Sequence, residues 1–174
     1  GGTPTSYMIS PSLLNTFQFN PSTGLISGTP SVLLNRTMFT ITASNSGGSF
    51  VTYINVTIVD QVPSLSYSPE NLTLTKGLVS SDLPLSATVT GSGTITSWEI
   101  NGSLPTGLSF GTSNGTVWGT PTVLQVSPVT YTVWANNSGG STSAMINITI
   151  LDEVPTLSYA PENLTLTNNE VNSD

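Results

Sequence analysis

The chain repeats itself. The stretch Asp-Gln-Val-Pro-Ser-Leu-Ser-Tyr-Ser-Pro-Glu-Asn-Leu-Thr-Leu-Thr from Asp60 returns from Asp152 as Asp-Glu-Val-Pro-Thr-Leu-Ser-Tyr-Ala-Pro-Glu-Asn-Leu-Thr-Leu-Thr, 92 positions later. Ala-Ser-Asn-Ser-Gly-Gly-Ser at Ala43 returns at Ala135 as Ala-Asn-Asn-Ser-Gly-Gly-Ser, with the same spacing. Gly-Thr-Pro at Gly28 returns at Gly119, 91 positions on, and Tyr7 and Ile9 fall opposite Trp98 and Ile100 at that spacing. A period of this size in a 174-residue chain leaves room for one whole structural unit and parts of two others. Each unit must be small and must build its own core.

The register divides the chain into three. Residues 1–62 read as a partial repeat without its first strands. Residues 63–154 read as a complete repeat, and 155–174 as the first strand of a following one. Only Leu83 to Gly91, about one strand, have no counterpart across the seam. Two arrangements fit. The chain is an excerpt of a longer array, or it is a filament subunit whose terminal segment is a donor strand to a neighbouring subunit. In both, residues 1–62 need strands from elsewhere to close a core.

Period-2 patterning makes the units β. Ala144, Ile146, Ile148 and Ile150 share one strand face, with Met145, Asn147 and Thr149 on the other. Ile54, Val56 and Ile58 repeat the pattern. Tyr131, Val133 and Ala135 form another inward row, matched by Phe39, Ile41 and Ala43. Leu72 with Leu74, and Leu85 with Ala87 and Val89, supply two more. Trp98 and Ile100, or Tyr7 and Ile9, supply a central strand. Turn residues separate the runs at Gly91–Gly93, Leu104–Gly107, Asn114–Gly115, Gly119–Pro121 and Ser138–Gly140. No segment has helical periodicity with caps. Roughly seven short strands in about 92 residues, with an aromatic on a middle strand, predict an all-β chain of tandem Ig-like β-sandwich repeats. The cysteine count is zero, so apolar packing near Ala87 and Val133 must do the work of an inter-sheet disulfide.

The segment Leu104–Pro121, LPTGLSFGTSNGTVWGTP, resembles the signature of the Ig-like repeats of large prokaryotic surface proteins, a family within the cadherin-like and Ig superfamily. That signature runs Leu-Pro-x-Gly-Leu-x-Phe, a turn of Ser, Asn and Gly, then Gly-Thr-Pro. Tyr131–Gly140 resembles the family's next strand and turn. In the first unit Phe17, Phe19 and Ser22–Pro30 keep the later half, while Leu14–Asn15–Thr16 replaces Pro-Thr-Gly. The resemblance implies a spacer module, repeated in secreted or cell-surface proteins of bacteria and archaea. Some relatives accompany adhesins and some accompany carbohydrate-active enzymes. Dense asparagine sequons point within that family to an archaeal-type glycoprotein.

Charge narrows the partners. Nine acidic residues face two basic ones, Lys76 and Arg36, and charged residues are only 6% of the chain. No basic patch exists to displace phosphate counterions, which excludes nucleic acid. The same balance disfavours docking on anionic lipid, and no apolar run reaches the length of a membrane span. The expected partners are neighbouring copies or repeats of the same protein, and cell-surface glycans.

N-glycosylation is the leading site expectation. Sequons stand at Asn35, Asn55, Asn71, Asn101, Asn114, Asn136, Asn147 and Asn163. Chance gives about five from this content of Asn, Ser and Thr, so the excess is mild. Position adds to it: Asn55, Asn71, Asn147 and Asn163 fall on outward strand faces, and Asn114 and Asn136 in turns. An unmodified Asn/Thr-rich β-surface is the alternative.

Calcium is a weaker expectation. Asp60, Asp152 and Glu153 stand in the linkers between repeats, where hard oxygen ligands could gather. Calcium needs six to eight ligands, each junction offers two or three carboxylates, and Gln61 stands where Glu153 does. A solvated linker is the alternative. Lys76 could in principle form an isopeptide with an Asn, but its repeat counterpart is Asn168, and a solvated strand-end charge is the simpler reading.

Catalysis has little to stand on. There is no His and no Cys for base or nucleophile work, and Glu99 matches Met8 in the other repeat. Trp134 falls on an outward strand face and is a candidate sugar contact. Trp118 is a second exposed aromatic, and packing under a neighbour is the alternative for both. The sequence predicts a non-enzymatic extracellular spacer, at the cell surface or in a secreted filament. An adhesin or carbohydrate-binding accessory module is the alternative.

Overall fold

A computed structural model describes residues 2–14, 16–158, 165, 166 and 168. The strands are β1 (Ser6–Ser10), β2 (Phe17–Phe19), β3 (Ile26–Gly28), β4 (Leu34–Asn45), β5 (Gly48–Ile58), β6 (Ser64–Ser66), β7 (Asn71–Thr75), β8 (Thr88–Thr90), β9 (Ser97–Ile100), β10 (Leu108–Phe110), β11 (Val117–Gly119), β12 (Gln125–Asn137) and β13 (Gly140–Leu151). The described residues contain no helix.

The second unit is a two-layered sandwich. One layer is a four-stranded sheet in the order β7-β13-β12-β9. Its alternation puts Ile146, Ile148, Ile150, Val133 and Ala135 in the core at 0% exposure. The edge strand β7 runs parallel to β13, with Leu72 beside Ile148 and Leu74 beside Ile150. The other layer is formed by the β6–β8 and β10–β11 pairs. Leu85 and Val117 stitch those pairs together by exchanging backbone hydrogen bonds of 2.8 and 2.9 Å. Leu65, Tyr67, Leu85, Leu108 and Val117 close the core from this side.

Three sequence expectations need correcting. Trp98 and Ile100 do not lie on a central strand: β9 is an edge of its sheet and pairs with β12 on one side, because the sheet order ends there. The inward row Leu85–Ala87–Val89 is not a continuous strand. Leu85 makes only the bridge to Val117, pairing resumes at Thr88, and Val89 is 37% exposed. The reason is its short partner β6, which reaches only Ser64–Ser66. Asn136 is not in a turn either. It belongs to β12 and pairs with Ser141 of β13 and Ser97 of β9.

The first unit repeats part of this plan. Strands β1, β4 and β5 form a sheet in that order, and β2 pairs with β3. They correspond in order and register to β9, β12, β13, β10 and β11. Phe39 is buried at 2% exposure, yet Ile54, Val56 and Ile58 are only half-buried. Their counterparts Ile146, Ile148 and Ile150 are covered by β7 and the opposing layer. Full burial would add on the order of 1 kcal/mol for each of the three.

A shared detail ties the two units. Trp98 on β9 lies over the β10–β11 turn, so that a Cβ on Gly115 would fall 2.4 Å from its ring. Tyr7 on β1 lies over the β2–β3 turn in the same way, with a Cβ on Gly24 falling 2.9 Å away. Both glycines have positive φ, at 68° and 72°, so backbone and packing make the same demand.

Candidate functional site

The outer face of the β7-β13-β12-β9 sheet follows directly from strand alternation. Side chains opposite the buried Ile and Val rows carry Asn, Thr, Ser and Trp. Asn147 lies beside Asn71 across the parallel pair and donates from Nδ2 to its Oδ1 at 2.8 Å. Thr130 donates to Asn147 Oδ1 at 2.6 Å. These bonds leave Asn71 exposed and Asn147 half-buried.

The remaining sequons differ in how free their amide nitrogens are. Asn101 and Asn114 are exposed, and each uses Oδ1 to accept a backbone N–H, from Thr132 at 2.6 Å and Thr116 at 3.1 Å. Among the described residues neither Nδ2 donates a hydrogen bond. Asn35 and Asn55 are exposed on β4 and β5. Asn136 is the exception: its Nδ2 donates to Ser97 Oγ at 3.0 Å and Glu99 Oε1 at 2.9 Å, which uses both of its protons. Asn163 lies outside the described residues.

Trp134 is half-buried at the centre of the outer face, between Glu99 of β9 and Ser143 of β13. Trp118 is more open, at 43% exposure, and lines a shallow hollow with Val79, Leu83, Pro84 and Asn114. The two indoles sit on different layers and do not converge.

The linker is the other organised feature. Asp60 donates its backbone N–H to Ser138 Oγ at 2.8 Å, and Ser138 Oγ donates to Asp60 Oδ2 at 2.7 Å. Asn137 Nδ2 donates to the carbonyl of Gln61 at 2.7 Å. The β12–β13 turn approaches so closely that a Cβ on Gly139 would lie 1.9 Å from the Asp60 carbonyl oxygen. On the other side Gly93, before β9, leaves room for the Asp60 carboxylate, and Ser92 contacts Gln61 at 3.4 Å. Pro63 is then buried at the start of the second unit. The linker is therefore a held segment.

Calcium finds little here. Among the described residues no group of three or more acidic, His or Cys side chains comes together. Asp60 spends its carboxylate on Ser138. Asp152 is 2.9 Å from Lys76 Nζ, and Glu153 is exposed. Lys76 is thus paired across the ends of β7 and β13, with the partners 40% and 60% exposed. Sequence reasoning read it as merely solvated. The Asp60–Ser138 clamp was also missed. Its signal was present: the two best-repeated stretches are the linker and the turn that grips it.

The sequence profile of the family described as Putative Ig domain matches residues 62–151. No curated protein matches the chain. Among solved structures it is similar to mouse cadherin-23 EC22-24, with TM-score 0.39 and 15% identity over 85% of this chain and 53% of that one. It is similar to protocadherin gamma B7 extracellular cadherin domains 1-4, with TM-score 0.40 and 19% identity over 87% of this chain and 42% of that one. Human protocadherin-24 EC1-2 gives 0.44 and 16%, over 87% and 83%. The chain thus spans about half or less of the length of the first two.

Proposed function

The chain belongs to the Putative Ig domain family, and on that premise we propose that it is a structural repeat module of an extracellular filament or giant cell-surface glycoprotein. Ig-like repeats of this kind are typically non-catalytic. Residues 1–62 act as a partial repeat, 63–154 as a whole one, and 155–174 as the opening of the next or as a strand donated to a neighbour. The module works mechanically. Each sandwich is stiff, and length grows by repetition, with stability set by nearest-neighbour packing.

The observation that carries this reading is the held linker. A chain that only tethered two domains would have no use for the Asp60–Ser138 and Asn137–Gln61 bonds at the joint. A spacer does, because they fix the direction in which the next unit starts. Glycans on the exposed sequons would coat a nearly uncharged surface and guard it from proteases. Electron cryo-microscopy of native material tests the proposal. A sandwich with strands of about ten residues is roughly 35–40 Å long. Threads with that axial period support it, and isolated particles without axial order count against it.

Trp118 favours a second reading, an adhesin or carbohydrate-binding accessory module, because an exposed indole stacks on sugar rings, and half-buried Trp134 is the weaker candidate for such a contact. Sugar binding that disappears in Trp134→Ala or Trp118→Ala would favour recognition over spacing.

A further inference from the structure

The β10–β11 turn carries a sequon and an exposed indole side by side. Asn114, Gly115 and Thr116 form the sequon, and Trp118 follows two residues later on β11, opposite Ser109. Asn114 Oδ1 accepts the Thr116 N–H at 3.1 Å, which caps the turn and leaves Nδ2 without a hydrogen bond among the described residues. Asn114 and Trp118 both line the shallow hollow that Val79, Leu83 and Pro84 complete. No charged side chain lines it, and its volume of about 600 Å³ is in the usual range for a small-molecule site.

We propose that this hollow seats the sugar carried by Asn114 itself, with Trp118 stacked on the face of the first ring. The seat rests on the glycoprotein reading and deepens it, by naming the side chains that hold one glycan against the protein. In the linkage, Asn114 Nδ2 gives up one proton and bonds to the anomeric carbon of the sugar, whose bond to an activated phosphate donor breaks. The C–H face of the ring then lies on the indole while its hydroxyls stay in water.

Gly111 shows how closely the two side chains meet. Its φ lies outside the left-handed region, so the backbone does not ask for glycine. Yet it is buried, and a Cβ there would run into Asn114 Oδ1 and stand 3.0 Å from Trp118 Cζ3. The asparagine and the indole close over one Cα. A sugar on Asn114 is therefore tethered beside the ring, and tethering raises the occupancy of even a weak contact.

The first unit supplies the contrast. In its β2–β3 turn Gly24 donates its N–H to the Asn20 carbonyl at 2.8 Å, as Gly115 does to the Gly111 carbonyl at 2.8 Å. The capping amide there is Asn20, the counterpart of Gly111, and its Oδ1 accepts from the N–H groups of Ser22 and Thr23. Thr23 stands at the position of Asn114, and Ser27 at that of Trp118. The hairpin thus forms with neither sequon nor indole, and the two are missing together. The hollow is also clear of the joint. The cleft at the joint takes residues 30–33 from the first unit, and their counterparts 121–124 do not line this hollow.

The test uses the whole chain, secreted from a eukaryotic cell line and trimmed by an endoglycosidase to a single N-acetylglucosamine at each occupied sequon. Glycopeptide mass spectrometry reads occupancy, and NMR reads the sugar. Ring protons of the Asn114 sugar should move upfield and show cross-peaks to the Trp118 indole, and those of the Asn101 sugar should not. Thr116→Val deletes the sequon and keeps the Asn114 cap. Tryptophan emission follows unfolding of the second unit, which holds all three tryptophans. In the secreted chain Thr116→Val should lower Tm by roughly 2–8 °C, the span of one aromatic contact in a domain of this size. It should leave Tm unchanged in secreted Trp118→Ala and in the bare chain made in bacteria. An Asn114 sugar with unshifted protons, or a Tm loss indifferent to Trp118, would overturn the seat and leave the glycoprotein reading standing. Asn114 empty beside a filled Asn101 would do the same. A secreted chain with every sequon empty would take down both.

Discussion

Ser138 Oγ and the Asp60 carboxylate meet at 2.7 Å, 78 residues apart in sequence, and the same hydroxyl accepts the Asp60 backbone N–H. A side chain on a turn of the second unit thereby holds the last residues before that unit begins. The joint owes its geometry to the domain that follows it.

Loss of that hydroxyl should loosen the joint without unfolding either unit. For Ser138→Ala, the Asp60 amide should exchange with solvent about 3- to 10-fold faster, matching a hydrogen bond worth about 0.5–1.5 kcal/mol. Core amides such as Ile148 should be unchanged. Hydrogen exchange resolved by NMR reads both at once.

Sequon occupancy should follow the freedom of each amide nitrogen. Glycopeptide mass spectrometry of the exported protein should find Asn101 and Asn114 modified and Asn136 bare, because Asn136 Nδ2 is committed to Ser97 and Glu99. Asn71 and Asn147 share one hydrogen bond and one patch of surface, so no single molecule should carry glycans on both.

Gly115→Ala should be among the most damaging single-methyl changes. It combines left-handed backbone strain, about 1–2 kcal/mol, with displacement of the Trp98 ring. Gly102→Ala is the control: its φ of 71° carries the same backbone strain, but no atom lies within 4 Å of the added Cβ. Urea unfolding should show the larger loss for Gly115→Ala, and quenched or shifted tryptophan emission only there.

Stability should fall in alkali. Burial pushes the Tyr67 phenol well above its usual value of 10.0, and its hydroxyl donates to the Gly115 carbonyl. The unfolded chain therefore releases this proton before the native one does. The contribution of this group to stability is constant below pH 10 and declines as pH rises beyond it. In Tyr67→Phe that part of the alkaline slope should vanish, at the cost of lower stability near neutral pH.

Much of this architecture was legible in the sequence because it rests on alternation over long strands. Ile146, Ile148 and Ile150 repeat every second residue, and so do Tyr131, Val133 and Ala135, and all point where the pattern places them. Short strands were harder. Leu85–Val89 alternates correctly, but its pairing depends on where β6 ends, and β6 shows no such limit in its own residues. Asn136 was read as a turn residue because Asn-Asn-Ser-Gly-Gly is turn-rich, whereas the hairpin closes one residue later, at Asn137 with Gly140. The joint was the least legible feature. Asp60, Gly93 and Ser138 each look like an ordinary loop residue, and only the fold brings them together.

The most direct test of the spacer account is the distance across the joint. The chain has no cysteine, so spin labels can be placed at Gln18→Cys and Ser109→Cys, exposed and equivalent positions on β2 and β10. The account predicts one narrow distance distribution in electron double-resonance measurements, unchanged by a calcium chelator and broadened by Ser138→Ala. A broad distribution in the unmutated background, indifferent to Ser138, would mean that the linker is a free tether, and the account of a stiff repeat module would fail.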